Sequence, residues 1–173
     1  MPKKSLLGVD KNEKIIHEFK QHKIGIFGIW LLAGIAYIAI LYLLYIFVDN
    51  QNLFGIYDSG LLAGLVASLL TILLVIIAAV QTYVFLKNEL IVTDQNIVEI
   101  TQYSLFNRQV SHLNLANVQE VSATQKGLLA SIFNYGTITI ESAGEKASFE
   151  FRFTPNANVC AKYILEAHEN YKG

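Results

Sequence analysis

Residues 24–48 read IGIFGIWLLAGIAYIAILYLLYIFV, a run of 25 residues without a charged side chain. As a helix that rises about 1.5 Å per residue, this run would be about 37 Å long, enough to cross a hydrocarbon core of about 30 Å with some tilt. Residues 61–86, LLAGLVASLLTILLVIIAAVQTYVFL, form a second uncharged run of 26 residues. Together the two runs predict a pair of transmembrane helices.

A cleaved signal peptide is the alternative interpretation of the first run. The run is too long for a signal peptide, it starts after 23 residues that are rich in polar side chains, and no small-x-small cleavage site follows it. We therefore interpret it as a retained span. The composition agrees, because 53% hydrophobic residues and a mean hydropathy of +0.41 exceed the average for a soluble protein.

The positions of the lysines predict the orientation of the spans, because basic residues resist translocation. Residues 1–23 contain six lysines, whereas the connector at 49–60, DNQNLFGIYDSG, contains two aspartates and no basic residue. Both the N-terminal and the C-terminal segments are therefore expected in the cytoplasm, in a multi-pass protein of the cell (inner) membrane. The six lysines are Lys3, Lys4, Lys11, Lys14, Lys20 and Lys23.

Small residues recur three or four positions apart on the second span. This spacing lets helix backbones approach closely in lipid, although an apolar helix can also contain small residues by chance. Neither span contains an ionisable residue of the kind that marks an ion or proton pathway, so transport by a two-helix monomer is disfavoured. The candidate helix-packing residues are Gly60, Gly64, Ala67, Ser68 and Thr71.

After the second span the composition changes to β-branched, aromatic and polar residues. Alternation of apolar and polar side chains predicts short antiparallel strands, of which the first two flank a tight turn at Asp94-Gln95-Asn96 and form a hairpin. The last two are joined by the glycine-containing loop SAGEK. The strands are predicted at 89–94, 96–101, about 107–115, 118–124, 137–142 and 147–153.

The segment TPNANVCAKYILEAHENYK predicts one amphipathic helix after the last strand. Thr154 is expected to be its N-cap, with Pro155 at the first helical position. A helix with a single apolar stripe is suited to closing one end of a small β structure, and periodicity alone leaves open whether that structure is a barrel or a sandwich. The expected stripe is Val159, Cys160, Tyr163, Ile164 and Ala167.

Three phrases of this region are distinctive: LIVTDQNIVEI, LNLANVQEVSATQKGLLASIFNYGTITIESAG and FRFTPNANVCAKYI. They resemble the bacterial PH-like (pleckstrin-homology-like) membrane-flanked domain family, the YdbS-like group, in which two helices precede a PH-like barrel. Two turns depart from the family pattern, since VTDQNIV lacks a common arginine and Ala143-Gly144-Glu145 replaces a double glycine. The resemblance implies a transmembrane α-helical hairpin, then a mainly-β PH-like barrel or sandwich of six to seven antiparallel strands, capped by one C-terminal α-helix.

The segment GLLASIFNYG places apolar residues at helical spacing directly before a strand. In the family that it resembles, this segment is a short helical insertion between strands. Its apolar side either covers an open side of the barrel or faces outward, onto the bilayer or a protein partner. The candidate contact residues are Leu128, Leu129, Ile132 and Phe133.

The sequence lacks the arrangements typical of catalytic, cofactor or metal sites. Cys160 lies on the apolar face of the last helix, where a thiol behaves as a small hydrophobe, and the four histidines are scattered. Only Lys87 and Arg108 are basic between residues 87 and 125, which argues against a specific phosphoinositide site. The net charge of −1 gives no reason to expect a nucleic-acid partner.

These observations predict a non-enzymatic integral membrane protein without a cofactor, which presents its β domain as a scaffold or adaptor. Its expected partners are the lipid bilayer and either an unknown protein or a second copy of the chain. A membrane-lipid-sensing module and an accessory subunit of a transporter or channel remain as alternatives. The predicted boundaries are 1–23 for a cytoplasmic segment, 24–48 and 61–86 for the spans, 49–60 for an extracytoplasmic connector and 87–173 for a cytoplasmic PH-like domain.

Overall fold

The computed structural model describes residues 13–49, 59–143 and 148–172. The chain divides into two compact units, a helical unit at Ile26–Tyr83 and a β unit that is formed by the chain on either side of it. Lys3, Lys4 and Lys11, most of the predicted connector and part of the SAGEK loop lie outside the described residues.

Two long helices cover the two uncharged runs of the sequence. Helix α1 spans Ile24–Asp49 and helix α2 spans Ser59–Leu86, so their ends lie within two residues of the predicted ones. Both helices are long and apolar enough to cross a membrane. The most apolar window of α1 is 0% buried and that of α2 is 11% buried, which is unlike the core helix of a soluble protein.

The β unit contains two antiparallel sheets, one with the strand order β1-β2-β3-β4 and the other with the order β5-β6-β7. A 3₁₀ turn at Leu115–Asn117 links the sheets, a short helix α3 precedes β6, and helix α4 follows β7. This architecture confirms the predicted fold class. The bounds are β1 Ile15–Lys20, β2 Glu89–Thr93, β3 Asn96–Gln102, β4 Arg108–Asn114, β5 Val118–Thr124, α3 Leu128–Phe133, β6 Tyr135–Ser142, β7 Ser148–Pro155 and α4 Ala157–Lys172.

Strand β1 is the element that the sequence analysis missed. It lies before α1 in the chain yet pairs with β2, which follows α2, with Lys20 opposite Glu89 and Phe19 opposite Leu90. Its inner and outer residues alternate, but His17 occupies an inner position and stacks on Tyr163 of α4 with ring centroids 4.0 Å apart. Because His17 is polar and lies on the inner face, the alternation of apolar and polar residues is not visible in the sequence, and the strand was missed. The residues before α1 therefore do not form only a separate segment, since they contribute a strand to the β unit.

The apolar core is shared by both sheets and α4. Leu90 and Ile97 from the first sheet meet Ile138 and Ile140 from the second, and Ile164 of α4 covers them. Full burial of each such side chain contributes about 1.5–3 kcal/mol to stability. Phe19 of β1, which precedes the helical unit in the chain, packs against the same core, so the core joins strands from before and after that unit.

The start of α4 differs from the prediction. Thr154 and Pro155 belong to β7, and the buried Thr154 hydroxyl donates a hydrogen bond to the Phe151 carbonyl at 3.0 Å instead of capping the helix. The chain turns at Asn156, which has a φ of 49°, and its carbonyl accepts from the Cys160 backbone N–H at 3.1 Å. Of the predicted stripe residues, Val159 is exposed, and the other four are buried or half-buried.

Candidate functional site

One end of the β unit holds the residues that lead into α1 and out of α2. The side chain of Asn88, two residues after α2, donates to Gln21 Oε1 at 3.2 Å and accepts from the Gln102 backbone N–H at 2.7 Å. On the other side, the His22 backbone N–H donates to the Phe153 carbonyl. We call this region the proximal end, defined by residues 20–25, 84–89, 101–109, 123–136 and 153–157.

Aromatic rings connect the two helix bases at the proximal end. His22 stacks on Tyr135 at 5.8 Å between ring centroids, and Tyr135 stacks on Phe153 at 5.6 Å. Phe153 then makes an edge contact at 5.6 Å with Phe85, in the last turn of α2. Since an aromatic pair contributes about 0.5–1.5 kcal/mol beyond its buried area, this series fixes both helix bases against β6 and β7.

A close approach of α1 to Phe85 accounts for the glycine at position 25. A Cβ atom added to Gly25 would lie within van der Waals overlap of the Phe85 ring, whereas one added to Gly28 would meet no atom within 4 Å. With the Phe85 ring in its observed position, residue 25 has no room for a side chain.

The opposite end of β1 is held by a buried polar cluster. Glu13 is buried, with one carboxylate oxygen 2.8 Å from the Thr93 hydroxyl and the other accepting from the Asn96 side-chain amide at 2.8 Å. Next to it, the Lys14 backbone N–H donates to the Asp94 carboxylate at 2.9 Å. These contacts attach the N-terminal strand to the β2–β3 turn, which sequence reasoning did not predict because the partners lie about 80 positions apart.

The predicted turn before β6 forms helix α3 at the proximal end, with its apolar side outward. Ala130 faces the interior and its carbonyl accepts from the Gln125 side chain at 2.6 Å, while Leu128 is 77% exposed. Of the two alternatives left open by the sequence, covering the barrel is therefore wrong for these side chains. The exposed residues are Leu128, Leu129, Ile132 and Phe133.

A second apolar projection lies at the turn between β3 and β4, and the sequence analysis did not identify it. The turn is closed by a hydrogen bond from the Tyr103 backbone N–H to the Asn107 carbonyl at 2.9 Å. Tyr103, Leu105 and Phe106 are exposed on it, and Phe106 is 97% exposed. Three large apolar residues in a hairpin turn, where polar residues are usual, are the signal that could have indicated this projection.

At the border of the proximal end, an open pocket of about 350 Å³ has a lining that includes Gln21, Asn88, Glu99, Glu150 and Arg152. Burial raises the pKa of Glu99 to about 6, and repulsion from Glu150 acts in the same direction. Arg152 pairs with Glu150 at 3.0 Å. The pocket therefore contains a carboxyl group whose pKa is raised, beside an ion pair.

The described residues contain no cluster of three or more histidine, cysteine or acidic side chains that could hold a metal ion. Burial raises the pKa of the Cys160 thiol to about 12, which keeps it protonated at neutral pH. A protonated thiol in the core is a poor nucleophile and a poor metal ligand.

The candidate packing residues of α2 do not share one environment. Gly60, Gly64 and Ser68 are exposed on α2, whereas Ala67 and Thr71 are half-buried. Thr71 lies in a groove of about 240 Å³ that α1 and α2 form, opposite Trp30 and Gly34. The structure therefore does not bring the five residues together at one helix contact, and their role in packing remains a prediction.

Comparison with known proteins gives one family. The family model described as "Bacterial PH domain" matches residues 24–168, a range that begins at α1 and ends within α4. Neither the curated proteins nor the solved structures gave a significant match. The match confirms the family predicted from the sequence, and the finer YdbS-like assignment stays a prediction.

Proposed function

We propose, because this chain belongs to the bacterial PH domain family, that it is an integral membrane protein whose β unit serves as a non-catalytic scaffold or adaptor. PH domains are generally interaction modules rather than enzymes. The partner is a protein or a second copy of the chain. The buried, protonated Cys160 thiol agrees with a role that involves no covalent catalysis.

The observation that most directly supports this proposal is the outer edge of β4. Strand β4, seven residues long, is the last strand of its sheet and pairs with β3 on one side. In the second sheet, α4 packs along β5, and β7 lies beside β1. The outward backbone groups of an edge strand can pair with an added strand, which is a common way for a protein to bind an extended peptide.

The connectivity also supports a scaffold. The chain leaves the sheet at β1, forms the two long helices and returns to the neighbouring strand β2. Both ends of the helical segment are therefore tied to the same sheet rather than attached through one flexible linker. A domain held in this way stays at the membrane, where its local concentration for a membrane partner is high.

Site-specific photo-crosslinking in native membranes tests the proposal. A photoreactive residue at Gln109 or Ser111 on β4 should form protein adducts, whereas the same residue at the exposed Glu141 of the central strand β6 should not. With the photoreactive residue at one of these two β4 positions, lysine at the other should reduce the adducts, because edge lysines discourage strand addition. Equal adduct yields at positions 109, 111 and 141, or adducts to lipid alone, would argue against β4 as the binding edge.

A further inference from the structure

The exposed apolar side chains of the β unit are concentrated at the proximal end. Outside the long helices, four large apolar residues exposed elsewhere on the described β unit are scattered singly, as is normal for a protein surface: Ile16, Val159, Leu165 and Tyr171. Seven others lie on only two projections. They are Tyr103, Leu105 and Phe106 on the β3–β4 turn, and Leu128, Leu129, Ile132 and Phe133 on α3.

Each projection lies next to a helix base. Helix α3 leads through Asn134 into Tyr135, whose ring stacks on His22, two residues before α1. The β3–β4 turn follows Gln102, whose backbone N–H donates to Asn88, two residues after α2. If α1 and α2 cross a bilayer, the two projections are thus at the end of the β unit that meets the lipid surface.

Charge is also unevenly distributed over the β unit. The proximal end contains five basic residues, Lys20, Lys23, Lys87, Arg108 and Lys126, and one acidic residue, Glu89, which pairs with Lys20 at 3.2 Å. The remaining described residues of the β unit contain nine acidic and four basic residues. The basic end suits the negative surface of a cytoplasmic leaflet, and the acidic remainder does not.

We propose that the two projections form an apolar collar that inserts into the headgroup and upper acyl region of an anionic bilayer around the helix bases. The proposal rests on the proposed function, because it requires that α1 and α2 cross the membrane. Apolar side chains beside basic ones are the usual composition of surfaces that lie in the membrane interface. Because the helices already hold the β unit at the lipid, a few inserted side chains suffice to fix its orientation.

Quenching of tryptophan fluorescence by brominated lipids tests the collar in the full-length protein. The chain has a single tryptophan, Trp30, which lies in α1 and reports directly on whether that helix is in lipid. In a Trp30→Phe background, Phe106→Trp and Ile132→Trp report on the two projections. Tyr171→Trp is the matched control, because Tyr171 is an exposed aromatic in the last turn of α4, away from the proximal end.

The protein is placed at one copy per nanodisc in phosphatidylethanolamine and phosphatidylglycerol that are brominated on the acyl chains. The collar predicts loss of fluorescence at positions 30, 106 and 132 and none at position 171. Quenching at position 30 without quenching at 106 and 132 would overturn the collar and leave the spans intact. Lack of quenching at position 30 would overturn both. Reporters at 106 and 132 that brominated lipid does not quench but that are shielded from acrylamide would indicate a protein contact and also overturn the collar.

Discussion

Glu99 is the residue whose ionisation should affect the stability of the β unit. Its pKa is raised from 4.5 to about 6, first by burial and then by Glu150, so the folded state holds this proton more tightly than the unfolded state does. The contribution of Glu99 to the free energy of unfolding should therefore fall as pH rises from 4.5 to 6, and the loss should be complete above that range. Glu99→Gln removes the ionisation, so the variant should be more stable than the natural protein above pH 6 and similar to it below pH 4.5.

The difference is measured as the midpoint of thermal unfolding of full-length protein in detergent on both sides of this pH range. Glu120→Gln is the control, because Glu120 is also a strand glutamate but is exposed. A Glu99→Gln difference that is the same at both pH values would contradict the raised pKa, since a pH-independent effect would come from the change of shape or hydrogen bonding alone.

Strand β1 is the element on which the integrity of the β unit depends. Phe19 packs against the core, and β1 covers the edge of β2, whose Leu90 and Val92 are fully buried. A fragment of residues 87–172 lacks this strand and leaves the β2 edge open, which favours aggregation. We therefore expect that fragment to be less stable than a chain in which residues 13–23 are joined to residue 87 by a flexible glycine-serine linker.

Urea unfolding and size-exclusion chromatography compare the two fragments. The linked chain should be monomeric with the higher midpoint, and Phe19→Ser in the linked chain should remove most of the gain while preserving its length. Equal midpoints for the fragment with β1 and the fragment without it would mean that the strand contributes nothing to folding of the β unit.

The elements also differ in how far the sequence determines them. Both the β2–β3 and the β6–β7 hairpin join partners that are close in sequence. The first was predicted from its tight turn and the second from strict alternation of apolar and polar residues. Strand β1 was missed because its partner lies beyond two helices and because His17 interrupts the apolar pattern. Helix α3 was predicted from the helical spacing of its apolar residues. The same spacing occurs whether those residues face the core or the surface, so the sequence alone could not predict that Leu128 is exposed.

At the scale of the whole molecule, the distribution of lysines predicts that the β unit lies in the cytoplasm. Lys14, Lys20 and Lys23 precede α1, Lys87 follows α2, and basic residues next to a span favour the cytoplasmic side. Since β1 and β2 are paired in one sheet, both helix bases must lie on the same side of the membrane. The chain between β1 and β2 therefore cannot cross the membrane an odd number of times.

Cysteine labelling in intact cells measures this orientation. The natural Cys160 can stay in place, because burial raises its pKa to about 12 and keeps the thiol unreactive. A cysteine introduced at the exposed Glu120 should react with a membrane-impermeant maleimide only after the inner membrane is permeabilised, whereas one introduced at Asn52, in the predicted connector, should react beforehand. The natural protein is the control for Cys160. Labelling at position 120 before permeabilisation would reverse the orientation and exclude a cytoplasmic partner, because the paired strands β1 and β2 require the whole β unit to be on one side.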